Sequence, residues 1–133
     1  MIITYLGGEF VKIQFGDTTL AFNPVSKDSK LPTSKFGADI VLSSLNHPDM
    51  NGIDQVSFGD KNAFAVRGPG EYEIKGVFIK GLASESAYGG EKLINTIYTV
   101  TFEGMNICYL GALNQAELPK EAEEAIDDVD VLF

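Results

Sequence analysis

The residues most able to do chemistry lie in one stretch, Ala38 to Asn51, which holds the only histidine of the chain. It opens with the apolar run Ile40-Val41-Leu42, which has the character of a buried strand. Ser43 and Ser44 follow, and then the polar loop Leu45-Asn46-His47-Pro48-Asp49-Met50. A strand that carries an imidazole and a carboxylate to the rim of a sheet can build a metal or acid–base site. Zinc hydrolysis needs three or four N, O or S ligands with one position left for water, and a single histidine excludes any site built on three imidazoles. His47 and Asp49 are therefore the candidate metal ligands, and no residue is assigned a catalytic role. Their other reading is a polar turn, with Asp49 accepting local backbone hydrogen bonds. Weak zinc binding and a new site recruiting Asn46, Asn114 or Glu85 are the alternatives.

Other reactive types have structural readings. Cys108 lies in an apolar strand with no histidine near it in sequence and reads as a core thiol. Ser84 and Ser86 lack the nucleophile-elbow pattern and read as loop residues. Gly68-Pro69-Gly70 lacks the Lys-Ser/Thr and the helix of a phosphate loop, so it reads as a turn. The acidic run from Glu117 to Asp130 reads as a solvated helix face.

These groups have to be held by a β-rich framework. Met1 to Phe22 divides into strands Ile2–Leu6, Phe10–Phe15 and Thr18–Phe22, the last two joined at Gly16-Asp17 and the third ended by Asn23-Pro24. Residues 25 to 37 read as a solvated loop. Gly52 to Asn62 has no clear period and suits a short helical turn or a strand. Ala63–Arg67 is a strand that breaks at Gly68. A hairpin pairs Glu71–Ile74 with Val77–Lys80 around Lys75-Gly76. Residues 83 to 93 read as a flexible loop. Thr96–Phe102 and Asn106–Leu110 form another hairpin at Glu103-Gly104. One helix is expected over Leu118–Ile126, with Pro119 in its first turn. Val129–Phe133 is expected to be a last, buried strand.

The 133 residues suit one domain with a core of its own. Ten basic against nineteen acidic residues give a net charge of −9, which opposes phosphate backbones and anionic membranes. No nucleic-acid or membrane partner is expected. No apolar run approaches the roughly 20 residues of a membrane span, and no basic region precedes a hydrophobic run at the start. A single cysteine excludes an internal disulfide and fits a reducing compartment, so a cytoplasmic location is expected.

The stretch after Leu42 resembles the metal-binding signature of the metallo-β-lactamase superfamily, a strand followed by His-x-His-x-Asp-His. Leu45 falls on the first His, His47 on the second, Asp49 on the Asp and Met50 on the last His. The opening Ile-Thr-Tyr-Leu-Gly, the Asn23-Pro24 pair, Gly68-Pro69-Gly70-Glu71-Tyr72-Glu73 and Ile107-Cys108-Tyr109-Leu110-Gly111 are similar to the ascorbate-6-phosphate-lactonase-like branch of metal-dependent hydrolases. The resemblance runs over residues 1–133 but over only about the first half of that family's domain. It implies an α/β fold, the N-terminal half of a metallo-β-lactamase-like αββα sandwich, β-rich with one clear helix.

The same resemblance implies that His47 would serve the first metal of a pair and Asp49 the second. At the other ligand positions the chain has Gly7-Gly8, Leu45, Met50, a residue near Ser86, Ala112 and Gln115, and the family's last histidine falls beyond Phe133. The expected protein is a non-catalytic member of the fold with a degraded metal site and no cofactor, acting in interaction or assembly. The alternative is a zinc-dependent hydrolase with an altered or mononuclear site. With the second half of the sandwich beyond the sequence, Thr96–Phe102 and Val129–Phe133 are expected to lose neighbours, and a homodimer or a complementary chain is expected to cover them.

Overall fold

In the computed structural model, which describes residues 1–133, the apolar runs of the sequence become ten strands. The chain divides into two compact units, Met1–Arg67 and Gly68–Phe133. Each unit is built on one five-stranded sheet.

In the first unit, β1 (Ile2–Tyr5), β2 (Val11–Phe15), β3 (Thr18–Phe22), β4 (Ile40–Leu42) and β5 (Phe64–Val66) lie in sequence order across the sheet. The first three are antiparallel, whereas β3, β4 and β5 run parallel. Parallel neighbours need crossover connections. The first crossover is the loop over residues 25–37, and the second holds the 3₁₀ turn Ile53–Val56, within the segment that has no clear period. Ala21 and Val41 face a cluster with Phe10, Val25, Ala38 and Val56, against which Phe36 packs. Ile40, Val41 and Leu42 are all fully buried, as expected of a strand apolar on both faces. Asp39, at the start of β4, is fixed by two partners. Its Oδ2 accepts the N–H of Thr19 at 2.8 Å, and its Oδ1 pairs with Lys61 Nζ at 2.7 Å.

In the second unit the order is β10-β9-β8-β7-β6, from β6 (Gly70–Ile74), β7 (Val77–Ser86), β8 (Leu93–Phe102), β9 (Met105–Tyr109) and β10 (Val131–Leu132). Both tight hairpins use two residues of positive φ, Lys75-Gly76 (52°, 77°) and Glu103-Gly104 (50°, 76°). That turn matches the right-handed twist of the strands it joins. The crossover to the parallel strand β10 carries the only α-helix, α1 (Lys120–Ala125), whose Ala122 is buried against Leu82, Ile97 and Cys108.

Four expectations are corrected. The segment 83–93 is not a loop throughout: β7 runs on to Ser86 and β8 starts at Leu93, leaving a short 3₁₀ turn at Tyr88–Gly90. Ser84 and Ser86 are thus buried strand residues. The helix is shorter than Leu118–Ile126, because Pro119 stands before its first turn with extended backbone, although Leu118 and Ile126 still pack on its core. Thr96–Phe102 has lost no neighbour, being paired along both edges by β7 and β9. The last strand is only Val131–Leu132, and Leu132 is 61% exposed rather than buried.

The expected β-rich fold with one helix is what forms. No helix is long and apolar enough to cross a membrane.

Candidate functional site

The loop after β4 is positioned by residues at the ends of two parallel strands. Asn23 follows β3, is fully buried, and adopts a left-handed backbone (φ 46°), which asparagine tolerates better than most residues. Its Oδ1 accepts the N–H of Ser44 at 2.7 Å, and its Nδ2 donates to Glu9 at 3.2 Å. Ser43 is also buried, and its hydroxyl donates to the Met50 carbonyl at 2.8 Å, closing the loop on itself. Gly52 fixes the far end. A Cβ there would lie 2.6 Å from the backbone of Val25 and Ser26, so only glycine permits this approach. Two backbone bonds, Gly52 N–H to Pro24 and Ser26 N–H to Pro48, complete the attachment.

Within this frame His47 and Asp49 are neighbours. The backbone N–H of Asp49 donates to His47 Nδ1 at 3.0 Å, and Nδ1 lies 3.7 Å from Asp49 Oδ2. The first contact is the shorter of the two, and in it Nδ1 is the acceptor. Asp49 Oδ1 accepts the hydroxyl of Ser29. Serine thus meets the carboxylate rather than the imidazole, which is the wrong order for a nucleophile activated by a base.

Both side chains are about one-quarter to one-fifth exposed (25% and 20%) and line a recess with Ser29, Lys30 and Leu31. Leu45 and Met50 flank them in sequence and are only 2% and 1% exposed. Nowhere in residues 1–133 do three His, Cys, Asp or Glu side chains converge. A catalytic zinc takes three protein ligands and a water, so the donors of these residues do not fit one.

The second unit preserves a similar attachment. Asn95 is fully buried, and its amide donates to Ser84 Oγ and to the Leu110 carbonyl, both at 2.9 Å. Its Oδ1 accepts the N–H of Ala112 at 2.9 Å. Gln115 and Asn114 are held against Glu85 by bonds of 3.2 and 3.1 Å. Asn114 and Glu85 therefore serve loop attachment, and Glu85 also pairs with Lys92 at 3.7 Å.

One feature escapes the reading of single residues. A cavity of about 370 Å³ opens at the carboxyl ends of β4 and β5, lined by Ser43, Leu45, Asn46, Asn51, Ile53 and Arg67. In sequence Asn46 stands as an alternative recruit to a site with His47 and Asp49, and Arg67 only as the end of a strand. The available signal was that both stand just beyond strands that prove to be parallel neighbours.

A sequence model described as the beta-lactamase superfamily domain matches residues 2–133. Among solved structures, the chain is similar to a proposed Zn-dependent hydrolase of the metallo-beta-lactamase superfamily from Thermotoga maritima. The two are 28% identical with a TM-score of 0.72, over 98% of this chain and 58% of that one. The chain therefore spans less than two-thirds of the Thermotoga protein. A proposed metal-dependent hydrolase from Parabacteroides distasonis shares the fold at 17% identity and a TM-score of 0.66, over 98% and 67%. So does CmlA, a diiron beta-hydroxylase from Streptomyces venezuelae, at 15% identity and 0.65, over 98% and 33%. Among curated proteins none matches the chain.

Proposed function

The chain belongs to the beta-lactamase superfamily, and we propose that it is a non-catalytic member whose metal site has been filled in and which acts in interaction or assembly. The observation that carries this reading is the burial of Leu45 and Met50, at 2% and 1% exposure, where the signature has histidines. Apolar side chains packed at these positions stabilise the loop without a metal, whereas unligated imidazoles buried there would be costly. His47 and Asp49 are then remnants, occupied with each other and with Ser29.

An assembly role draws support from β1, the outer strand of its sheet. Ile2, Ile3 and Tyr5 on it are 64%, 43% and 68% exposed, and an apolar open edge is a ready template for another chain. A homodimer or a complementary chain is the partner we propose. The buried thiol of Cys108 agrees with a cytoplasmic location.

A second reading, a metal-dependent hydrolase with an altered or mononuclear site, is favoured by the likeness to the Thermotoga protein and by the proximity of His47 to Asp49. Metal analysis of protein purified without chelator separates the two. The filled-in site gives well below one zinc per chain. Stoichiometric zinc lost on His47→Ala would establish the second reading instead.

A further inference from the structure

We propose that the cavity at the carboxyl ends of β4 and β5 binds a small organic carboxylate, with Arg67 as its charge partner. The proposal goes beyond the reading above and does not depend on whether His47 and Asp49 hold a metal. Crevices at the carboxyl ends of parallel strands are where ligands collect in sheets of this kind, because the loops there diverge. Its volume of about 370 Å³ falls in the range of small-molecule sites.

The lining sets the chemistry. No carboxylate contributes to it, in a chain with a net charge of −9. Arg67 is exposed and takes part in none of the ion pairs of the chain. Its guanidinium presents a planar fork of donors that matches one carboxylate in bidentate fashion.

Asn51 Nδ2 donates to Asn46 Oδ1 at 3.0 Å, which holds the two amides together. Each amide has further N–H groups, and Asn51 keeps its carbonyl oxygen, so the pair can both donate to and accept from a hydroxyl. The Ser43 hydroxyl already gives its hydrogen to the Met50 carbonyl and can only accept. Leu45 and Ile53 supply an apolar wall. One cation, a donor–acceptor amide pair and a short apolar surface together fit a hydroxy carboxylate. A phosphate dianion would bring a second charge with no second cation in the lining.

Sodium lactate is the probe, titrated at constant ionic strength into the full ¹⁵N-labelled chain, with sodium phosphate as the comparison. Saturable shifts of the Arg67 Nε–H and of the Asn46 and Asn51 side-chain amides are expected, with a dissociation constant on the order of millimolar. Arg67→Gln should abolish them and Arg67→Lys should weaken them about tenfold, since an ammonium cannot bind in bidentate fashion. The exposed position of Arg67 favours folding of both variants, and their spectra report it directly. Should Arg67→Gln misfold, Asn51→Ala serves, with weakened lactate binding expected. Absence of saturable shifts, equal shifts with phosphate, or binding that survives Arg67→Gln or Asn51→Ala undiminished would overturn the proposal.

Discussion

The carboxamide oxygen of Asn23 accepts the backbone N–H of Ser44 at 2.7 Å, joining the end of β3 to the loop that carries His47 and Asp49. Asn95 does the equivalent in the other unit, where its oxygen accepts the N–H of Ala112. Both asparagines are fully buried, and each holds a loop beyond the end of a strand.

Asn23→Ala should accordingly cost about 2–4 kcal/mol. It leaves the buried N–H of Ser44 without its acceptor and places a Cβ-bearing residue with no local hydrogen bond at φ 46°. Asn23→Asp keeps the acceptor but loses the donor to Glu9 and sets two carboxylates together, so it should destabilise as well. Urea denaturation read at two wavelengths checks both, with an unchanged m-value expected.

Asp39 is the second anchor of this unit. Asp39→Ala removes the acceptor of Thr19 N–H and leaves Lys61 without its counter-ion, at an expected cost of about 2–4 kcal/mol. Lys61→Ala leaves the Asp39 carboxylate, only 4% exposed, without its counter-ion, but it keeps the bond from Thr19 N–H and should cost less than Asp39→Ala, which loses both partners. A reversed order in chemical denaturation would mean that the ion pair, rather than the backbone bond to Thr19, dominates.

Cys108 is buried, and that burial raises its thiol from 9.0 to about 11. At pH 8 the native protein should hold roughly 100-fold less thiolate than the unfolded chain. Ellman's reagent should label it slowly until urea is added, and then to one thiol per chain. The linkage has a definite sign. The folded state holds its proton more tightly, so this contribution to stability is complete below pH 9 and is lost as pH rises through 11. Cys108→Ala should flatten the alkaline fall in stability, which melting curves taken between pH 8 and 11 can measure.

Most strands were legible because their apolar runs and turn residues agree: Lys75-Gly76 and Glu103-Gly104 stand where the chain turns. The segment from Ala83 to Leu93 was misread because glycines at 89 and 90 outweighed a strand that carries polar residues inward. Ser84 and Asn95 satisfy each other there, a pairing that no local pattern reveals. The end of the chain was misread for the opposite reason, since Leu132 is apolar and yet largely exposed. At the candidate site, His47 and Asp49 could be found by residue type alone. The cavity could not, because Arg67 joins Asn46 and Asn51 only through the parallel pairing of β4 with β5.

The proposal of a filled-in site makes one prediction that runs in reverse. If only side chains separate this loop from a metal-binding one, then Leu45→His combined with Met50→His should restore a signature around His47 and Asp49. Without metal the double variant should be less stable by about 2–5 kcal/mol, because two buried apolar side chains are replaced by imidazoles lacking partners. Zinc should then return stability in proportion to its binding, about 2.7 kcal/mol at 100 times the dissociation constant. The unaltered protein should show no such gain. Thermal melts with and without zinc, repeated with His47→Ala added to the double variant, read this directly. A double variant that loses stability but gains none from zinc would place the change in the course of the loop itself, from Ser43 to Gly52, rather than in its two apolar side chains.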